Sequence, residues 1–536
     1  MVFLDSYRSW WVAVGIAVIL SFLFFVRLGG IALLDPDEPV YGQVAHEMVD
    51  SGDWLTPHYM GHPWFDKPPM FYWLSALSVA IFGINEFSCR LPSALTAIGV
   101  ALLTGLLARV LFGPRAFLTS LLVQATSLQH LILARSAVTD MTLAFFLTAS
   151  LLTYALWRST DGRELRWAVV CGAAIGGAVL TKGPVGLVLP AAIFALDILV
   201  GRNRRLFQPL AYAVVLGTGL LVSLPWYVMM WHLHGKAFLQ GFLVANNLTR
   251  FLAAEHPESS QAYYFLPVLI GFFFPWSAHL PWAIRHSLTP ESRAATRLLL
   301  LWAGIIFLFF SASQTKLVTY IFPIYPALSV LVGDFWAGIM EKEASQMSAR
   351  KAVMAMTVLG AALGLFLVMV AHLNYVEAFR AALGLSLCLI LGSVAALTGI
   401  RRDANRFGFG AIIAMMTIFI GIMVSSLGPI VEKSHTTKAL VYQAARLVGD
   451  HIYAYQLSSQ SLYFYTDGKA QWVGAEKEVM RLSRQNQPAA FIASQKSFTR
   501  LSPDIRSRIQ VIASTPKLVL FAVAPWAGRS GAVVGD

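Results

Sequence analysis

The chain has 536 residues, of which 57% are hydrophobic, 12% aromatic and only 13% charged. Soluble domains carry about a quarter charged residues, so this composition excludes that class and points to a polytopic α-helical membrane protein. The formal net charge of +12 calls for no nucleic-acid partner, because most of the excess sits in short loops between apolar runs, where it is a topology signal.

A spanning helix needs roughly 20 apolar residues, and by that ruler about thirteen spans are predicted. They cover 10–33, 88–112, 115–133, 137–157, 165–181, 184–200, 209–231, 262–283, 296–312, 317–336, 352–372, 378–399 and 408–428. Even-numbered spans are followed by Arg115, by Arg158, Arg163 and Arg166, by Arg202, Arg204 and Arg205, by Arg293 and Arg297, by Arg350 and Lys351, and by Arg401, Arg402 and Arg406. Those loops are expected to be cytoplasmic, with the amino terminus inside and the acidic first loop and carboxy-terminal tail outside. Trp10 and Trp11 flank the first span without an A-x-A cleavage site, so a retained helix is expected.

After the first span comes LDPDEPVYGQVAHEMVDSGDWLTPHYMGHPWFDKPP, residues 34–69. Asp35, Asp37 and Glu38 lie within four residues at the bilayer exit, and Asp66-Lys67 precedes Pro68-Pro69. Charge at a hydrocarbon boundary is expensive, so this loop is the first candidate for function rather than a simple helix stop. Val40, Val44 and Met48 recur every four residues, which predicts an amphipathic helix on the membrane surface that holds Asp37 at the rim. The apolar run PPMFYWLSALSVAIFG is only about sixteen residues and suits a second interfacial helix better than a crossing.

Later external positions add Asp140 with Arg135, Lys182 in LTKGP, the loop NNLTRFLAAEHPESS, and Lys316 with Tyr320 in SQTKLVTYIFPIYP. Singly, Lys182 or Lys316 reads as an anchor reaching for headgroups. Together they form an outward-facing set of cations and carboxylates beside lipid. Cys89, Cys171 and Cys388 are far apart in apolar spans, without zinc-ligand or disulfide spacing. His46, His58 and His62 lack i,i+4 spacing and suit surface or substrate contacts. From about Glu432 the texture turns mixed, with a helix-like KALVYQAARLV and strand-like HIYAYQ, SLYFYT, AAFIAS and VLFAVA. The expected organisation is a membrane domain over 1–430, with its external catalytic loop at 34–87, and a small carboxy-terminal α/β domain over 431–536. No nucleotide-binding glycine loop precedes a helix, so no nucleotide cofactor is expected.

The ordered blocks DEPVY, SGDW, FDKPP, NEFSCRLPSAL, TKGP, PWY, NNLTRF with a later EH, and KLVTYIFP resemble the bacterial ArnT-like glycosyltransferases and their lipid-carrier-dependent relatives. The resemblance implies a GT-C fold with interfacial helices in the first external loop and a periplasmic carboxy-terminal domain. It implies a catalytic carboxylate at Asp37, with Glu38 and Asp140 grouped beside it. Lys67, Tyr320 and Tyr41 match positions expected at the carrier-lipid phosphate, to which Lys182 and Lys316 would add charge. Asp66, where aminoarabinose enzymes usually have glutamate, would join His256 around a divalent metal, zinc or magnesium/manganese. Val40 stands where those enzymes commonly carry arginine, which weakens the case for that specific sugar or acceptor.

In such a reaction the leaving group is a phosphate, whose developing charge positioned cations and hydroxyls neutralise, while a carboxylate takes the acceptor's proton. The expectation is an inner-membrane enzyme moving a sugar from polyprenyl phosphate, undecaprenyl phosphate above all, to an envelope acceptor with inversion. Lipid A leads among acceptors, with another lipid, a polysaccharide or a protein as alternatives. The rival class is a flippase of lipid-linked sugars, which would place polar groups at the midplane on broken helices in paired halves. Here the charges collect at one face.

Overall fold

A computed structural model of the chain describes residues 7–201, 208–253, 260–484 and 489–523. Among them, nine helices are long and apolar enough to cross a membrane, or ten if a pair bent by 102° counts as one span. The first part of the chain runs through α1 (Tyr7–Phe25), α2 (Asp37–Ser51), α3 (Met70–Phe82) and α4 (Glu86–Phe112). It continues with α5 (Ala116–Thr126), α6 (Leu128–Leu133), α7 (Thr139–Ser159), α8 (Leu165–Lys182), α9 (Val185–Gly201) and α10 (Pro209–Phe238). Next come the single turn α11 (Arg250–Leu252), the bent pair α12 (Phe265–Phe272) and α13 (Leu280–Ser287), then α14 (Arg293–Ala312) and α15 (Tyr325–Met340). The membrane part closes with α16 (Gln346–Asn374), α17 (Phe379–Arg401), α18 (Asn405–Ile422) and α19 (Gly428–His435).

Each of the thirteen predicted segments overlaps a helix, but the helices in segments 10–33, 115–133 and 184–200 are too short to count as spans by themselves, and two segments are interrupted. Segment 115–133 breaks at Ser127, whose backbone is extended, and segment 262–283 bends between α12 and α13. The two breaks satisfy each other: the Leu128 amide donates to the Phe274 carbonyl at 3.0 Å, and Trp276 Nε1 donates to Thr126 Oγ1 at 3.1 Å. Non-helical backbone at this depth is tolerable because its polar groups are paired inside protein.

Helix α15 is buried along its whole length, with Trp276, Trp302 and Trp336 among the largest fully buried side chains around it. A Cβ on Gly333 would fall 2.1 Å from Ser120 Oγ, so glycine lets α15 touch α5, the close approach that drives helix association in lipid. Outer faces carry exposed apolar side chains instead, among them Leu221 at 75% and Val358 and Leu365 at 71%. Such a rim of exposed hydrocarbon fits a lipid-facing surface.

The first loop is built as expected, with one difference. Helices α2 and α3 are joined through a hairpin of β1 (His58–Tyr59) and β2 (His62–Pro63). Its tip, Met60-Gly61, has positive φ at both positions, as a two-residue turn requires. Both tip amides donate to the Glu47 carboxylate, at 2.7 and 3.0 Å. Val44, Ala45 and Met48 are fully buried with Phe71 and Tyr72, and a Cβ on Gly42 would meet Phe464 at 2.9 Å. The apolar stripe of α2 is therefore protein core between α3 and the carboxy-terminal part, not a face left to the bilayer.

That part contains α20 (Lys438–Val448), β3 (Ile452–Tyr455), α21 (Gln460–Tyr465), β4 (Gln471–Val473), α22 (Glu476–Ser483), β5 (Ala490–Ser494), α23 (Gln495–Thr499), α24 (Pro503–Arg506), β6 (Ile509–Ser514) and β7 (Leu518–Val523). The sheet order is β4-β3-β5-β7-β6. β3 runs parallel to β4 and β5, while β7 is antiparallel to β5 and β6. The run SLYFYT, expected as a strand, is α21. Ser459 caps it by accepting from the Leu462 amide, and a local side-chain cap overrides the strand preference of tyrosine and phenylalanine.

Candidate active site

Five separate stretches deliver polar side chains to one end of the helical bundle. Asp37 opens α2, Asp66 and Lys67 precede α3, Asp140 lies in the first turn of α7, and Lys182 closes α8. The fifth depends on a break. Helix α10 loses helical geometry at Gly235, with φ +50, a conformation open to glycine. The chain then continues in wide π turns over Leu239–Thr249 into α11, which brings Asn246, Asn247 and Arg250 over the site.

The groups are tied in two ionic sets. Lys67 Nζ lies 3.0 Å from both oxygens of Asp66, and Arg250 Nη1 donates to Asp66 Oδ1 at 3.1 Å. Lys182 Nζ donates to Asp140 Oδ1 at 2.6 Å and sits 4.7 Å from the centroid of the Tyr320 ring, a cation–π contact. Asp66, Lys67, Lys182, Arg250 and Tyr320 all line one cavity of about 390 Å³, whose other wall is Phe242, Phe251, Phe309 and Phe310. A second, almost wholly apolar hollow of about 240 Å³ shares Pro184, Phe242 and Leu243 with it and follows α8 and α10. A cationic mouth thus opens into a hydrocarbon trough.

Asp37 is accessible, yet surrounding protein desolvates it, and that burial, reinforced by the Asp140 carboxylate, holds its pKa above the ordinary 3.8 against the pull of Lys67 and Arg250. Lys67 is pushed below its ordinary 10.5, chiefly by burial, with Arg250 and Lys182 adding repulsion that Asp66 only partly offsets. Tyr41 packs edge-on to Phe71, with ring centroids 5.4 Å apart, and burial holds its hydroxyl well above 10, so it stays a proton donor.

Residues 66–231 match the family described as dolichyl-phosphate-mannose-protein mannosyltransferase. An undecaprenyl phosphate-alpha-4-amino-4-deoxy-L-arabinose arabinosyl transferase of Pseudomonas fluorescens is 35% identical over 334 residues, covering 60% of this chain and 56% of that one. The chain thus spans just over half the length of the curated relatives it matches in sequence. The crystal structure of ArnT from Cupriavidus metallidurans bound to undecaprenyl phosphate superposes with a TM-score of 0.83 at 27% identity, covering 97% of this chain and 100% of that one. In sequence over more than half of its length, and in fold over nearly all of it, the chain resembles the ArnT-like GT-C glycosyltransferases. An oligosaccharyltransferase of Archaeoglobus fulgidus, at a TM-score of 0.52 and 13% identity over 92% of this chain and 70% of that one, shares the fold alone.

Not every residue expected at the ArnT-like site sits there in a free form. Glu38 is buried and fully engaged. Its oxygens accept from Arg90 Nε at 2.8 Å, Arg90 Nη2 at 2.6 Å, the Ala137 amide at 2.8 Å and the Leu34 amide at 3.0 Å. It is a structural anchor rather than a catalytic carboxylate. Lys316 donates to the carbonyls of Ser313 at 2.5 Å and Ser260 at 2.8 Å, so it shapes the cavity wall carrying Ser313 and Thr315 instead of facing the cavity. Arg135 turns away from Asp140 and caps the end of α1 through the carbonyls of Leu23 and Val26. His46 bridges Asp50 and Asp467, at 3.1 and 3.3 Å, linking α2 to the carboxy-terminal part.

Within the NNLTRF block, the polar residues that reach the cavity are Asn246, Asn247 and Arg250, which the sequence marks only as part of a loop. An arginine in a polar break after a long span was the available signal. For the expected metal, His256 lies outside the described residues. Asp66 already faces two cations, which would repel a divalent ion, and among the described residues no group of three or more His, Cys, Asp or Glu could hold one.

Proposed function

We propose that this chain transfers a sugar from a polyprenyl phosphate, best matched by undecaprenyl phosphate, to a cell-envelope acceptor, with lipid A the leading candidate. The single observation that carries this reading is the cavity in which Lys67, Lys182 and Arg250 meet an aromatic trough. A phosphate head fits the cations, and an isoprenoid chain fits the trough. The carrier's bond to the anomeric carbon breaks as the acceptor oxygen bonds from the opposite face, which inverts the centre. The three cations neutralise the departing phosphate, with Tyr320 holding Lys182 in place. Asp37 accepts the proton of a hydroxyl acceptor, or orients an acceptor that is already anionic.

The same reading sets the chain in the bacterial inner membrane with thirteen crossings and a cytoplasmic amino terminus. The site and the carboxy-terminal α/β part then lie on the periplasmic side. Arg158 and Arg297 around buried Asp197, with Arg158 Nη1 at 3.3 Å and Arg297 Nε at 3.0 Å, mark the opposite end of the bundle. Concentration of arginine there supports the cytoplasmic assignment.

The test is mass-spectrometric detection of released polyprenyl phosphate and glycosylated product, using purified protein with a panel of undecaprenyl-phosphate sugars and lipid A. Asp37→Asn is expected to lower turnover by about 10²–10⁴-fold. Movement of donor lipid across vesicles without any product would replace transfer with a flippase.

A further inference from the structure

A further cavity, of about 280 Å³, is lined by Leu34 and Glu38 at the start of α2 and shares no lining residue with the aromatic trough. Arg27, Arg90 and Arg135 line it with Glu38, and its apolar wall includes Met423 and Leu427. Those two belong to a π-type stretch, Met423–Leu427, that continues α18. Three guanidiniums therefore share one carboxylate. Glu38 is consumed by Arg90, and Arg135 spends two donors on the end of α1. Burial and the neighbouring Arg90 push the Arg135 guanidinium down to about 10, as expected where positive charge lacks a counterion. Arg27 is exposed and makes no ion pair among the described residues.

We infer that this cleft binds the phosphate of the acceptor lipid, so that donor and acceptor occupy separate cavities near the start of α2. The inference rests on the transferase reading and extends it to a second substrate site. Charge argues for the headgroup: guanidinium forks favour phosphate, and the local balance is positive. The walls argue for a lipid over a soluble anion, because Leu28 and Ile31 after α1 and Met423, Val424 and Leu427 after α18 present hydrocarbon beside the arginines. Position argues for the acceptor. The trough already offers a cationic mouth for the donor phosphate, and Glu38 at this cleft adjoins Asp37, which interacts electrostatically with Lys67, Asp66 and Arg250 of that mouth, so two lipids seated this way meet near the first turn of α2.

The test uses the full chain in detergent and native mass spectrometry, with lipid A, dephosphorylated lipid A, phosphatidylglycerol and undecaprenyl phosphate as probes. Wild type is expected to prefer phosphorylated lipid A. Arg27→Glu, which breaks no contact of the fold, is expected to weaken that binding about tenfold, as loss of one charge-assisted contact would. Leu427→Trp, which fills the cleft, is expected to do the same, and both variants keep undecaprenyl phosphate binding. Wild-type lipid A binding in both variants, parallel loss of undecaprenyl phosphate, no preference for phosphorylated lipid A, or equal displacement by phosphatidylglycerol would each overturn the acceptor site. Binding is read without turnover. Failure of sugar transfer in every arm would thus defeat the transferase reading alone.

Discussion

Asp37 and Glu38 are consecutive carboxylates in the first turn of one helix, and they face two regions of opposite character. On Glu38's side every acceptor is used: Arg90 alone donates to both of its oxygens and to the carbonyls of Leu28, Ile31 and Ala32. On Asp37's side the carboxylate is desolvated, near a second carboxylate and accessible. The same chemical group is thus an anchor where its partners are complete and a desolvated, accessible carboxylate where they are not. Chain neighbours need not share a role, because helix geometry turns successive side chains by about 100°.

Removing the anchor is expected to give the largest effect. Glu38→Gln leaves the Arg90 guanidinium buried without a counter-charge, which costs about 3–5 kcal/mol, so the melting temperature in detergent should fall steeply or the protein should not accumulate. Asp37→Asn should move the other way. The folded state binds the Asp37 proton more tightly than the unfolded chain. This site's contribution to stability is therefore complete below 3.8 and lost as pH rises through the raised value. At neutral pH asparagine escapes that loss, so the variant should melt no lower than wild type. Equal destabilisation by both substitutions would erase the contrast.

A smaller effect should come from Lys67→Met, which removes one cation at the leaving phosphate and should lower kcat about 10²–10³-fold. It also tests the reading of Asp37 as a base. If Asp37 acts as the base, its ionised form is the active one, so the acid limb of the wild-type pH–rate profile should lie above 3.8. Lys67 pulls that pKa down, so its loss should move the limb to higher pH. A limb that stays in place would mean that Asp37 is not the group being titrated.

Most of the membrane architecture was legible because apolar runs of bilayer length leave few alternatives, and both short helices expected in the first loop, α2 and α3, are present, although the apolar stripe of α2 is packed in protein. The interruptions at Ser127 and between α12 and α13 were hidden, since each break is compensated by the other, a long-range pairing that no local pattern encodes. Within the site, Asp37, Asp66, Lys67, Asp140, Lys182 and Tyr320 stand out as polar groups at apolar ends. Glu38 and Lys316 carried the same signal but are spent on Arg90 and on two carbonyls. Polarity at a span end marks where charge collects; only partner counting separates site from scaffold. The helix at SLYFYT escaped for a related reason, as its cap and its acidic partner lie outside the run itself.

That acidic partner is Asp35, which joins the carboxy-terminal part to the first loop. Its oxygens accept from the Ser461 amide at 2.6 Å, Ser461 Oγ at 2.9 Å and Ser459 Oγ at 2.8 Å, beside the hydrogen bond of Tyr465 to Glu86 at 2.9 Å. Ser461→Ala deletes one hydroxyl among several partners, so a loss of about 1 kcal/mol is expected, read as a small drop in melting temperature with turnover nearly intact. Asp35→Ala should cost more, because it strands both serine hydroxyls at once. In the double variant the two losses should fall short of additivity, since both act on one network. Strict additivity would mean that Ser461 is held by Thr437, whose amide donates to Ser461 Oγ at 3.0 Å, and that Asp35 orders the loop by itself.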